Sequence, residues 1–145
     1  MEESIRQLVY VSNAEFGILP QDIEGILSLS RKNNADLEVT GILVYADGVF
    51  IQVLEGDDKT IVNLYDKISD DRRHNNVALI SDQFCNERTF PGWSMAYLSE
   101  SAVRVGKWAG VPGVINSEEL LEILIENGDS ISKYLINFAE ALEQD

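Results

Sequence analysis

A chain of 145 residues, 45% hydrophobic and 25% charged, has the size and balance of one ordinary globular domain with an appendage. Its net charge of −14, from 25 acidic against 11 basic residues, disfavours nonspecific attraction to phosphate backbones or anionic lipid, so direct nucleic-acid binding is not expected. The single cysteine, Cys85, cannot form an internal disulfide, and neither a basic-plus-apolar leader nor an apolar run of about 18 residues is present, which points to a cytoplasmic chain without membrane association.

Residues 5–12, IRQLVYVS, alternate loosely and are rich in Val and Tyr, the pattern of a first strand. LPQDIEGILSLSRKNNAD follows, with Pro20 suited to a first helical position and apolar residues recurring at a period near 3.6, which predicts a helix. VTGILVYADGVFIQVLEG reads as two strands joined at Asp47-Gly48, a good tight-turn dipeptide, and so as a hairpin. In residues 58–72, Ile61, Leu64, Tyr65 and Ile68 stand at helical spacing behind Asp58 as candidate N-cap. VALISDQFC and WSMAYLS are a fourth and a fifth strand, parted by a polar loop with Pro91 and Gly92.

The order through Ser99 is thus β-α-β-β-α-β-β, an α+β class, and predicts a ferredoxin-like sheet with both helices on one face. Residues 101–116 form a small-residue connector. Beyond it SEELLEILIENGD, with Gly128 as C-cap, and SISKYLINFAEALEQ predict a C-terminal helical extension of two amphipathic helices. The expected division is residues 1–100 as the main domain and 101–145 as linker and two-helix cap. Those helices either cover the bare sheet face or present a dimer or partner surface.

One residue is out of place in this pattern. Gln52 sits among Val49, Phe50, Ile51, Val53 and Leu54, and an amide left unpaired in a buried strand costs about 1–3 kcal/mol. Either the strand is an edge with Gln52 facing outward, or a polar partner meets it. In the first strand Tyr10 shares a face with Leu8 and Ser12; in the third, Gln52 shares one with Phe50 and Leu54. On the first helix Asn34 falls near the centre of the face made by Ile23, Ile26, Leu27 and Ser30, and on the second Arg72 projects onto the stripe of Ile61, Tyr65 and Ile68. Each residue alone has a plain structural explanation: a buried Tyr bonding a carbonyl, an Asn near a helix end capping it, a terminal Arg in solvent. Together, Tyr, Gln, Asn and Arg around one apolar cleft suit a planar heterocycle with amide-like edges, such as a flavin.

Residues 5 to about 99 resemble the BLUF domain, the family of blue-light sensors using FAD. The matching segments are LVYVS (8–12), SRKNNADLEVTGILVY (30–45), GVFIQVLEG (48–56), DDRRH (70–74) and FPGWSM (90–95). The resemblance implies noncovalent FAD and assigns Tyr10 as the electron and proton donor and Gln52 as its bridge to the ring. It implies flavin contacts at Asn34 and its neighbour Asn33, at Arg73 and His74, and more weakly at Asp71, with Ser12 added as a candidate on the Tyr10 face. The resemblance prefers Arg73 where the helical wheel preferred Arg72. Trp93 and Met95 match the tryptophan and methionine of the last strand, one of which is thought to lie beside the glutamine in each signalling state. Arg31, Lys32, Arg72, Arg73 and His74 can supply positive charge for the cofactor's phosphates.

The function implied is a blue-light photoreceptor that performs no net chemistry on a substrate and signals through a downstream protein, through its own homo-oligomer, or both. Some 45 residues after Ser99 cannot house a cyclase or phosphodiesterase, which resembles the short stand-alone members of the family. The alternative is a light-insensitive ferredoxin-like interaction or regulatory module. An enzyme on this scaffold, such as an acylphosphatase, finds little support, because SNAEFG after the first strand offers one glycine and an acid where a phosphate cradle is needed.

Overall fold

The computed structural model describes residues 5–14, 20–70, 74–88, 96–100 and 116–126. Within them the chain runs β1 (Ile5–Ala14), α1 (Pro20–Leu37), β2 (Thr40–Ala46), β3 (Val49–Gly56), α2 (Asp58–Ser69), β4 (His74–Cys85), β5 (Ala96–Glu100) and α3 (Ser117–Glu126). The described strands form one sheet in the order β4-β1-β3-β2-β5. The first four alternate antiparallel, and β5 lies parallel to β2. This is the predicted α+β, ferredoxin-like order. Crossing from β1 through α1 to β2 leaves a central gap that β3 fills as it returns from the hairpin.

The hairpin turns on two residues with positive φ, Asp47 at 50° and Gly48 at 96°. Positive φ at both central positions is the type I′ geometry that matches strand twist, and Asp-Gly supplies it at little steric cost. Ahead of the hairpin, α1 closes through Glu38 at φ 57°, where the Val39 N–H reaches back to the Asn34 carbonyl at 2.8 Å. Gly41 then meets β3 so closely that a Cβ there would lie 1.9 Å from the Val53 carbonyl oxygen.

Both α1 and α2 pack on one face. Ile23 and Leu27 of α1 and Ile61 of α2 are buried with Leu8 and Tyr10 of β1, Leu43 of β2, and Phe50 and Leu54 of β3. Apolar residues alternating along β1 and β3 place Val9, Val11, Ile51 and Val53 on the opposite face, equally buried. α3 meets β1 and β4, and its Leu120 is fully buried, in keeping with a C-terminal helix covering that second face.

Several boundaries differ from the sequence reading. β1 and β4 are longer, to Ala14 and from His74, because strand pairing continues past the apolar runs that mark them in sequence. α2 starts one residue earlier than proposed: Asp57 is the N-cap, its carbonyl accepting from Ile61 N–H at 2.9 Å, and Asp58 is the first helical residue. The helix ends at Ser69, short of Arg72, with Asp70 closing it by N–H bonds to the Lys67 and Ile68 carbonyls. β5 is described from Ala96, and Trp93 and Met95, which the sequence reading put on this strand, lie outside the described residues. The connector before Asn116, Gly128 and the second C-terminal helix lie outside the described residues. No helix among the described residues is long and apolar enough to cross a membrane.

Candidate functional site

The sheet order puts β3 at the centre, so Gln52 is not on an edge, and it is 5% exposed. Register places Tyr10 of β1 directly opposite it. The Tyr10 hydroxyl donates a hydrogen bond to the Gln52 Oε1 atom. That bond is the polar partner the sequence demanded, and no buried side-chain N or O atom among the described residues lacks one.

The pair lies at the floor of a cleft of about 230 Å³, a little below the range of about 300–1,000 Å³ typical of cofactor sites. Its walls are apolar: Ile26 and Leu29 of α1, Leu43 of β2, and Leu64 and Ile68 of α2. Four more polar side chains join Tyr10 and Gln52, namely Ser30, Asn33 and Asn34 from the last turns of α1 and Lys67 from the last turn of α2. Spacing explains the α1 set, since Ile26, Ser30 and Asn33–Asn34 follow one another at helical period along a single face. Asn34 is buried at 2% exposure, whereas Asn33 is exposed at the rim. The Tyr65 ring of α2 leans on Tyr10, with centroids 5.6 Å apart and planes tilted by 58°. Tilted aromatic pairs of this spacing are attractive and hold the phenol in place.

The sequence candidates therefore divide. Tyr10, Gln52, Asn33 and Asn34 come together around the cleft. Ser12 is fully buried on the same face, two residues past Tyr10 and opposite Phe50, but it does not line the cleft. His74 begins β4. Asp71, Arg72, Arg73, Trp93 and Met95 lie outside the described residues. Arg31 and Lys32 are exposed and are not among the lining residues; the basic side chain that does line the cleft is Lys67, which sequence reasoning missed. Its signal was its place one helical turn after Leu64 on the cleft side of α2.

A flavin fits this donor set. Its ring is an apolar plate with carbonyls and ring nitrogens along one edge, and among the described residues the cleft offers apolar walls, two asparagine amides, the Gln52 amide and the Lys67 cation.

Residues 5–96 match the family model described as "BLUF: Sensors of blue-light using FAD". The chain is 34% identical over 100 residues to photoactivated adenylate cyclase subunit beta of Euglena longa, a stretch covering 68% of this chain and 12% of that protein. It thus spans only a small part of the curated relatives it matches. Among solved structures, BlrB, described as a BLUF protein in its dark state, is similar over 97% of this chain and 98% of its own, with 28% identity and a TM-score of 0.77. BlsA in its photo-activated state is similar over 84% and 92%, with 28% identity and a TM-score of 0.69.

Proposed function

The chain belongs to the BLUF family of blue-light sensors, and from that membership we propose that it is a photoreceptor that holds FAD noncovalently and signals by a hydrogen-bond switch between Tyr10 and Gln52. The observation that carries this reading is the Tyr10–Gln52 bond at the floor of an apolar cleft. When bound, the flavin supplies absorption of blue light and, in its excited state, a strong oxidant.

The chain's own residues do the rest. The Tyr10 hydroxyl, which donates to Gln52, can release an electron and a proton together, the electron going to the excited cofactor. Gln52 Oε1, already accepting from the Tyr10 hydroxyl, is placed to take that proton and pass it on. An amide presents a carbonyl on one side and an NH2 on the other, so a rotated or tautomerised Gln52 reverses what it offers to the cleft and to Tyr10. The electron and the proton then return to Tyr10, so nothing is consumed, and the altered donor pattern is the signal. The apolar walls exclude water that would otherwise compete for these bonds.

Asn33 and Asn34 orient the ring in this reading. Arg73, His74 and, more weakly, Asp71 complete the cofactor contacts, with Ser12 supporting the strand beside Tyr10. Lys67, which lines the cleft, joins this set as a cation that would be available to the cofactor's phosphates. Trp93 and Met95 carry the change outward. Residues 1–100 form the sensor unit and 101–145 the linker and helical cap. The output passes to a downstream protein or through a homo-oligomer, in the cytoplasm, and the chain itself is not an enzyme. The relatives' own name, photoactivated adenylate cyclase, couples light to an output and supports the signalling role.

The test is a visible spectrum of the purified protein in the dark, just after blue illumination, and during recovery. A three-banded flavin spectrum that shifts reversibly to the red is expected. A spectrum that only bleaches, or no colour after reconstitution with FAD, would sink the reading.

A further inference from the structure

The face of the sheet away from the cleft carries a second polar rung, three residues along the same two central strands. Gln7 of β1 stands opposite Glu55 of β3, just as Tyr10 stands opposite Gln52. Three residues is an odd step, so the two rungs project from opposite faces. Gln7 is 1% exposed and Glu55 is fully buried. The Gln7 amide Nε2 donates to Glu55 Oε2 at 3.0 Å.

The rung extends to both neighbouring strands. Gln83 of β4, opposite Gln7, donates from Nε2 to Gln7 Oε1 at 2.8 Å. Thr40 of β2, opposite Glu55, donates its hydroxyl to Glu55 Oε1 at 3.2 Å. Arg88, just past β4, donates to Thr40 Oγ1 at 2.9 Å and to the Glu55 carbonyl at 3.1 Å. A network of side-chain hydrogen bonds therefore crosses four strands, donating inward from exposed Gln83 on one side and from Arg88 on the other to the buried Glu55 carboxylate.

The next rungs on this face, Val9 with Val53 and Val11 with Ile51, are apolar. Dispersion contacts slide under a small displacement with little change, whereas a hydrogen bond loses strength steeply once distance or angle departs from its narrow optimum. A shift of β3 against β1 arising at Gln52 would be absorbed by these apolar pairs but would re-sort the polar rung. Because Glu55 accepts from both sides, re-sorting it acts on β2 and β4 together.

We propose that Gln7, Glu55 and Thr40 are positioning residues that couple the Tyr10–Gln52 switch to β2 and β4 on the far face of the sheet. This rests on the photoreceptor reading above and adds the residues through which the signal crosses the sheet.

The experiment is hydrogen exchange by mass spectrometry on the FAD-loaded protein, in the dark and under continuous blue light, with the absorption spectrum recorded on the same samples. The variants are Glu55→Gln, Thr40→Val and Thr40→Ser. In the parent protein, illumination is expected to change amide exchange in β2 and β4. In Thr40→Val and Glu55→Gln the red shift persists while that light-dependent change falls about threefold or more, and Thr40→Ser, which keeps the hydroxyl, restores it. The Thr40 pair decides the matter however Glu55→Gln folds. An intact red shift with an undiminished light-dependent change in Thr40→Val overturns the coupling role alone, and so does a parent protein that shifts to the red without any change in β2 and β4. A parent protein with no red shift overturns the photoreceptor reading and the coupling with it.

Discussion

Tyr10 and Gln52 face one another across the β1–β3 ladder, and the phenol donates to the amide oxygen between the two central strands of the sheet. Replacing Tyr10 with Phe removes the hydroxyl and nothing else of the side chain's shape. The protein is expected to stay yellow with bound flavin and to lose the reversible red shift, as measured by spectra before and after blue light. A retained shift would refute the role given to Tyr10.

Gln52→Leu keeps the approximate volume but leaves the buried Tyr10 hydroxyl without this acceptor. Two effects are expected together: loss of the red shift, and a stability loss of about 1–3 kcal/mol in urea denaturation. Equal stability of the two proteins would mean that the hydroxyl finds another partner and that the pair is weaker than its geometry implies.

Gly41 permits the close approach of β2 to β3. A Cβ at that position would lie 1.9 Å from the backbone oxygen of Val53, which cannot swing away as a flexible side chain could. Gly41→Ala is expected to cost about 3 kcal/mol or more and to weaken flavin retention, because β2 supplies the Leu43 wall of the cleft. Thermal denaturation with and without FAD measures both.

Arg6 ties three elements together: it bonds Asp82 of β4 through two nitrogens at 2.9 and 2.6 Å, bonds Asp58 of α2 at 2.6 Å, and lies over the Phe84 ring. The bond to Asp82, then that to Asp58, raises the guanidinium pKa further above its already high value, so Arg6 stays charged at every working pH. Asp58 is largely exposed and Asp82 about a third so, which leaves both pairs open to screening. Arg6→Ala is expected to cost about 1 kcal/mol at low salt and less at high salt, read from urea melts at two ionic strengths.

Burial raises the Tyr45 phenol pKa above its ordinary value, reinforced by Tyr97 and Asp47 and partly offset by a hydrogen bond with the Gly48 backbone. A raised folded-state pKa means that the folded protein holds this proton more tightly than the unfolded chain. Its contribution is complete below the unfolded value of about 10 and is lost as pH climbs from there through the folded value. Tyr45→Phe should flatten the alkaline fall in stability above about pH 10, and a fall identical to the parent's would exclude Tyr45 as its source.

The parts legible in sequence were those fixed by short-range chemistry. Pro20 and the apolar period after it marked α1, Asp47-Gly48 marked the hairpin, and Gln52 stood out because an amide interrupts an apolar strand. Where two neighbouring residues could serve equally, sequence erred by one, as with Asp57 and Asp58 at the start of α2. The wheel that reached Arg72 continued a helix that ends at Ser69, since periodicity gives no warning of the Asp70 closure. Lys67 was missed because its neighbours define the face, not its own polarity. The Gln7–Glu55 rung was out of reach, because residues 48 apart become neighbours only once the β1–β3 register is known.

The Tyr10–Gln52 bond joins residues 42 positions apart, whereas β2 and β3 are closed by a two-residue turn. Closing the long loop carries the larger entropic cost, so the hairpin is expected to form early in folding and β1 to dock late. The cleft does not exist until β1 has docked, and a cofactor that binds only the finished fold stabilises it by mass action. On the photoreceptor reading, the supply of free FAD in a cell is expected to set how long each newly made chain survives proteolysis, so that coloured protein accumulates with cofactor as well as with synthesis.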